Sequence, residues 1–236
     1  RGPDHTGEYV DSNYCALGHN RLSIIDLSAN ANQPFADNSG RYHLTFNGEI
    51  YNYKELKQEL KAHYNFKTAS DSEVLIAAYV VWGRSCLNKL NGMFSFAIWD
   101  SSKKTLFAAR DRFGVKPLFF SEEDQEFYFS SEIKAIQSVL ERNHPNEKVW
   151  ANYFAYGSYG MPGETFYHNI QQLPGGHFLE YHDGNLKISK WYDFEERVKK
   201  SAKTLSFEDA KKVYSEILSD SISLRFRADV PIGFNI

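Results

Sequence analysis

Asn47 and Gly48 stand side by side in the sequence. A side-chain amide next to a main-chain N–H is a pair of neutral donors that could converge on one oxygen, as an oxyanion hole requires. Gly48 also permits close backbone approach or a positive φ. The same dipeptide is a common turn, and alone it reads as one. Arg21 carries a planar guanidinium that can meet a carboxylate through two parallel hydrogen bonds, which a lysine cannot do. Taken singly, it is equally a solvated or surface-paired cation. Asp71 falls in the first turn of an expected helix, where an acid is favoured by the helix dipole without any ligand. Cys15 and Cys86 are the two thiols of the chain. Cys15 reads as a small apolar residue beside a strand and Cys86 as helix-end packing, rather than as low-pKa thiolates.

The elements that must position these groups follow from periodicity. Tyr42, Leu44 and Phe46 alternate with His43 and Thr45, a half-buried strand that should end at a turn over Asn47-Gly48. Asn52 is placed as N-cap, with Glu55 as its reciprocal partner, of a helix that carries Leu56 and Leu60 on one face. Ser70 and Glu73 form a second capping box, followed by Val74, Leu75, Ala78, Tyr79 and Trp82 at helical spacing. The nearly unbroken apolar run Leu90–Asp100 and the run Thr105–Ala109 predict a hairpin in the heart of a sheet. Arg110-Asp111-Arg112-Phe113-Gly114-Val115-Lys116-Pro117-Leu118 reads as a charged structural turn tied by ion pairs. Pro117–Ser121 and Glu126–Ser130 form another hairpin, after which Ser131 caps a helix bearing Ile133, Ile136 and Leu140. Trp150–Tyr156 is a short aromatic helix ended by Gly157. His177–Tyr181 and Leu186–Trp191 are strands around an Asp-Gly turn. From Glu195 to Thr204 the chain is polar and lysine-rich, as a linker would be. Phe207, Val213, Ile217, Leu218 and Leu224 then recur at helical spacing.

Composition narrows the function classes. The 236 residues are 42% apolar and 16% aromatic, enough for one large domain, or one domain with part of another. A formal net charge of −3 provides no electrostatic footprint for nucleic acid. No apolar run reaches membrane-spanning length and no secretory leader is visible, so no membrane partner and a cytoplasmic location are expected. Two cysteines fit a reduced setting. The eight histidines show no zinc-site spacing, so no structural metal is expected.

Several longer strings bear a resemblance. Arg1-Gly2-Pro3-Asp4, the stretch Cys15–Asp26, Asn47-Gly48-Glu49-Ile50-Tyr51-Asn52, Arg110–Leu118, Gln172-Leu173-Pro174-Gly175-Gly176-His177 (Gly175 where the family has a second Pro) and Arg225–Gly233 occur in one order. Together they resemble the glutamine-dependent asparagine synthetases, whose N-terminal half is a class II, N-terminal-nucleophile (Ntn) glutaminase. The resemblance implies an α+β fold, an αββα sandwich of two mostly antiparallel sheets with helices outside, followed by the start of an α/β ATP-pyrophosphatase-type synthetase domain. It implies a glutaminase domain over 1–194, a linker over 195–203 and the start of the synthetase domain over 204–236.

The resemblance also implies an activity: a carbon–nitrogen ligase with glutamine as amido-N donor. Ammonia released from glutamine would amidate aspartate that ATP, with Mg²⁺, has activated. Arg21 would hold the glutamine α-carboxylate and Asp71 its α-ammonium. Leu22, Ser23, Ile24, Ile25 and Glu49 would line the pocket, and Asn47 and Gly48 would form the oxyanion hole. Ile236 would abut the nucleotide loop. Glutamine, aspartate and ATP are the implied partners, with a homodimer as the assembly to test.

The chain departs from the family pattern in two places. The family nucleophile is a cysteine at the mature N-terminus, whereas this chain begins with Arg1, and the chain stops before the nucleotide loop. The expectation is therefore a trimmed chain, inactive by itself. Two other readings stay open: a glutaminase-like scaffold without its nucleophile, as in β-lactam-synthetase-like enzymes, and an amidotransferase for a sugar or polysaccharide intermediate.

Overall fold

The computed structural model describes residues 2–123, 125–140, 144–201 and 204–233. In chain order the elements are β1 (His5–Asp11), β2 (Cys15–Arg21), β3 (Phe35–Ala36), β4 (Tyr42–Ile50), α1 (Tyr53–Leu60) and α2 (Asp71–Trp82). They continue with β5 (Gly92–Asp100), β6 (Thr105–Arg110), β7 (Phe119–Glu123), β8 (Glu126–Ser130), α3 (Ile133–Gln137) and α4 (Glu147–Tyr156). The last are β9 (Gln171–Gln172), β10 (His177–His182), β11 (Asn185–Lys190), α5 (Phe194–Ser201) and α6 (Phe207–Arg225). Short 3₁₀ segments lie at Ala29–Ala31 and Gly83–Asn88.

The chain divides into two compact units: residues 1–45, 49–92 and 193–236 in the first, and 46–48 and 93–192 in the second. In the first unit β1 and β2 form an antiparallel hairpin with His5 opposite Arg21, and β3 pairs with β4 at Leu44 and His43. Helix α1 buries Leu56 and Leu60, the two apolar positions its spacing selected, and packs beside α2. Helix α2 is buried along Asp71–Ala78. Such a helix has no solvent face for its first two turns, so apolar periodicity there marks a core element and not an amphipathic one.

In the second unit the strand order is β11-β10-β6-β5, then residues 46–48 of β4. The β5–β6 hairpin has Ala97 opposite Ala108. Phe94, Phe96, Phe107 and Phe178 form a run of rings with successive centroids 5.6, 6.0 and 5.5 Å apart, the tilted geometry that aromatic quadrupoles favour. A smaller sheet has the order β8-β7-β9. Beneath it Ile136, Leu140 and Ile170 form a cluster with Phe119, Tyr128, Ile133 and Tyr167.

Several local expectations are corrected. Strand β4 does not end at Asn47-Gly48 but runs through to Ile50, because the glycine answers to close backbone approach instead of to a turn. Asn52 occupies the N-cap of α1 without a side-chain capping bond. Its amide bridges instead to Lys89 O at 2.9 Å and Asn91 N at 2.9 Å. The N-cap of α3 is Glu132, and its N–H donates to Ser130 Oγ. Helix α5 is exposed and takes up most of the stretch 195–203 read as linker, with Glu195–Lys199 and Glu196–Lys200 pairs at i,i+4 spacing. The charged turn after β6 is tied through the backbone. Arg110 donates to the carbonyls of Lys116, Leu173 and Gly114, and Asp111 accepts from the N–H groups of Phe94, Phe113, Val115 and Lys116.

Candidate active site

Arg21 is the last residue of β2 and is 6% exposed. The strand aims its guanidinium into the following loop, where Nη1 donates to Ser28 O at 2.8 Å and Asn32 Oδ1 at 2.9 Å. Nη2 donates to Ile25 O at 3.4 Å and to Asp26 O. Both terminal nitrogens are thus engaged with acceptors of this chain. Arg21 organises residues 25–32, and a two-pronged grip on a carboxylate requires it to give up some of these bonds. The other residues expected in the pocket are placed differently from one another. Leu22 is exposed, Ser23 N–H donates to Asp4 Oδ2 at 2.7 Å, and Ile25 is buried. Ile24 O accepts from Asp229 N–H at 2.9 Å.

Asp26 is the centre of this loop, and the sequence reading assigned it no role. It sits at φ 54°, and its carboxylate accepts from Ser28 N at 3.0 Å, Ser28 Oγ at 2.6 Å and Ala69 N at 2.7 Å. Burial alone would raise its pKa. The bonds from Ser28 and Ala69 and the Arg21 charge outweigh that and hold it below the usual carboxylate value. Its N–H donates to Asp229 Oδ2 at 2.8 Å. Only the Asp side chain's habit of bonding backbone two residues on, here to Ser28, was a signal in the sequence.

Asp71 opens α2. Ser70 is the N-cap, its Oγ accepting from Ser72 N–H at 3.1 Å. The expected reciprocal half of the box is absent, because the Glu73 carboxylate turns to Lys67 N, Thr68 N and Thr68 Oγ1. Asp71 is 5% exposed, and its Oδ2 accepts from Ile50 N–H at 3.0 Å. Burial raises its pKa to about 7, and the Glu49 charge adds to the rise. The hydrogen bonds from Ile50, Ser72 and its own N–H act against it. A carboxyl poised there is half ionised near neutrality, and a cation placed beside it would stabilise the anion.

The first unit therefore links Arg21 to the Asp71 end of α2: Arg21 bonds Asp26 O, and the Asp26 carboxylate bonds Ala69, two residues before Asp71. Asn47 and Gly48 lie in the second unit. Asn47 is half-buried, and Gly48 has φ 156°; a Cβ there would stand 2.1 Å from Met93 O and 2.7 Å from Phe94 Cα. Glycine is required at this position by packing, whatever its N–H does. Ile236 lies outside the described residues.

Neither thiol is built as a nucleophile. Cys15, half-buried at the start of β2, has its pKa pushed up to about 12 by burial and by Asp11. Cys86, fully buried in the 3₁₀ segment, is pushed up to about 12 by burial. No helix among the described residues is long and apolar enough to cross a membrane.

Residues 1–192 match the family described as a glutamine amidotransferase domain. The sequence is 34% identical over 241 residues to asparagine synthetase [glutamine-hydrolyzing] 3 of Bacillus subtilis, covering 98% of this chain and 38% of that protein. It is 37% identical to asparagine synthetase [glutamine-hydrolyzing] 2 of the same organism, covering 99% and 32%. Amidase chry2 of Gibberella zeae is 34% identical over 236 residues, covering 99% and 34%. The chain thus spans about a third of the length of these relatives. Among solved structures, glutamine phosphoribosylpyrophosphate amidotransferase from B. subtilis superposes with a TM-score of 0.53 at 22% identity, over 75% of this chain and 35% of that one. The fold is accordingly the α+β fold of the Ntn glutamine amidotransferases.

Proposed function

This chain belongs to the glutamine amidotransferase family, and we propose that its first 194 residues are the half of an asparagine-synthetase-like enzyme that draws ammonia from glutamine. The match to the amidotransferase family over residues 1–192 carries this reading. In it, the Asp71 carboxylate meets the α-ammonium of glutamine and becomes fully ionised as it does so. Arg21, freed from part of its loop contacts, meets the α-carboxylate. Glu49, Leu22, Ser23, Ile24 and Ile25 enclose the substrate. The Asn47 amide and the Gly48 N–H take the charge that develops on the amide oxygen, where one lost donor typically costs about 2.7–4 kcal/mol of barrier. In this reading the attacking nucleophile is a group other than Cys15 and Cys86, whose thiols burial disfavours as thiolates.

In the longer protein the ammonia passes to aspartate activated by ATP and Mg²⁺, with residues 195–203 as linker and 204–236 opening the synthetase domain. ATP, Mg²⁺, aspartate and a homodimer rest on the resemblance alone, and a cytoplasmic setting on the composition. A different acceptor is the second reading; one relative, 34% identical, is named an amidase and not an asparagine synthetase. The test uses the full-length natural protein with glutamine, ATP, Mg²⁺ and aspartate. Glutamate and asparagine formed in equal amounts support the first reading. Glutamate without asparagine supports the second, and no glutamate at all removes both.

A further inference from the structure

The segment that follows α6 returns to the loop and strand end described above, at two points. Arg227 Nη1 donates to Tyr51 O at 2.9 Å and to Glu55 Oε2 at 2.5 Å, and its Nη2 donates to Glu55 Oε1 at 2.6 Å. Asp229 Oδ2 accepts from Asp26 N–H at 2.8 Å, and Asp229 N–H donates to Ile24 O at 2.9 Å. The Arg225 guanidinium lies 4.7 Å over the Tyr51 ring. These contacts join residues 172, 176 and 203 positions apart in sequence.

The two holding points are not arbitrary places on the surface. Tyr51 directly follows Ile50, the residue whose N–H holds Asp71. Asp26 is bonded to Ala69, just before the Asp71 turn, and its carbonyl accepts from Arg21. One segment three residues long, 227–229, therefore grips the supports of both Arg21 and Asp71. Asp26, at positive φ, keeps its geometry through the bonds around it, and the Asp229 carboxylate is the acceptor of its N–H.

We propose that Arg227 and Asp229 are positioning residues for glutamine binding: they latch residues 24–26 and 51–55 so that Arg21 and Asp71 face one amino acid at the right separation. This deepens the function proposed above and rests on that reading. The latch touches no substrate. Its loss leaves Arg21 and Asp71 in the chain but loosens the spacing between them, which weakens ground-state binding more than it slows the chemical step.

The test compares Asp229→Ala and Asp229→Asn in the full-length protein. An asparagine keeps a carbonyl oxygen to accept from Asp26 N–H, and an alanine does not. The expected result is a glutamine KM raised roughly tenfold in Asp229→Ala with kcat changed less than about twofold, and a KM near the unmodified value in Asp229→Asn. Amide exchange should quicken at Asp26 and Ala69 in the alanine variant alone. A folded Asp229→Ala protein with unchanged KM overturns the latch, as does an asparagine variant equally impaired. If the unmodified protein neither binds nor hydrolyses glutamine, the functional reading fails, and exchange then decides the latch: unaltered protection at Asp26 and Ala69 in Asp229→Ala overturns it. Arg227→Ala, which frees Tyr51 O and Glu55, should raise KM in the same way and decides the matter if Asp229→Ala does not fold.

Discussion

The N–H of Ile50, at the end of β4, donates to the carboxylate of Asp71, at the start of α2, across 3.0 Å. The bond pins a strand end to a helix N-terminus and buries an acid whose pKa rises to about 7. Between the ordinary value of 3.8 and about 7 the folded protein binds more protons at Asp71 than the unfolded chain does. Through this group, stability falls as pH rises across that window and is level above it.

If Asp71 meets the ammonium of glutamine, the anion is the binding form. Glutamine affinity of the full-length protein should then rise roughly tenfold from pH 6 to pH 8, and Asp71→Asn should be weak at both. Calorimetric titration at the two pH values measures this. A pH-independent affinity in the unmodified protein removes Asp71 from the ammonium contact.

Asp71→Asn should also stabilise the fold at pH 8. The amide still accepts from Ile50 N–H but carries no charge to bury, and a carboxyl moved from 3.8 to about 7 costs the folded state on the order of 4 kcal/mol above its pKa. Denaturant melts of the two proteins should differ at pH 8 and converge at pH 4. A destabilised variant at pH 8 would mean that Asp71 carries a packing role beyond this bond.

Gly48→Ala should fold poorly. The added methyl would meet Met93 O at 2.1 Å, and backbone on the facing strand cannot yield cheaply. A loss of at least about 2 kcal/mol is expected by urea melt, so low activity in this variant is not by itself a sign of a lost oxyanion donor. An unchanged midpoint would show that the neighbouring strand gives way.

Arg21→Lys should lose stability as well as glutamine binding. A single ammonium cannot serve the four acceptors that the guanidinium reaches. A fall of about 1–3 kcal/mol and faster proteolysis within residues 22–32 are expected. A raised KM with an unchanged melt would assign Arg21 to substrate alone.

Cys15 and Cys86 should resist alkylation at pH 7.5. With both pKa values near 12 against an ordinary 9.0, each holds about a thousandfold less thiolate than an exposed cysteine. Mass spectrometry after iodoacetamide treatment reads this directly, and rapid labelling of Cys15 would reopen it as a nucleophile.

Much of this protein is legible in its sequence. The hairpins β5–β6, β7–β8 and β10–β11, the N-cap Ser70, the Gly157 stop and the buried Leu56–Leu60 face follow from period and local chemistry. Each is set by neighbours a few residues away, and that is the range over which propensity and capping act. The family likewise followed from strings in order. Two of the local readings failed because a segment distant in sequence intervened. Asn47-Gly48 has the chemistry of a turn, but a facing backbone at 2.1 Å from the absent Cβ keeps it in a strand. Glu55, read as a capping partner, was drawn away by Arg227, 172 residues on.

The sequence by itself determined three of the hairpins, most of the helices, the glutaminase family and the residue types at the candidate site, because those depend on side-chain chemistry and short-range spacing. Only the tertiary structure decided that Asp71 is a buried acid near neutrality, that Arg21 already serves its own loop, and that Asp229 holds Asp26. Burial and hydrogen-bond partners are properties of where distant segments meet, and no local pattern encodes a contact across 203 residues.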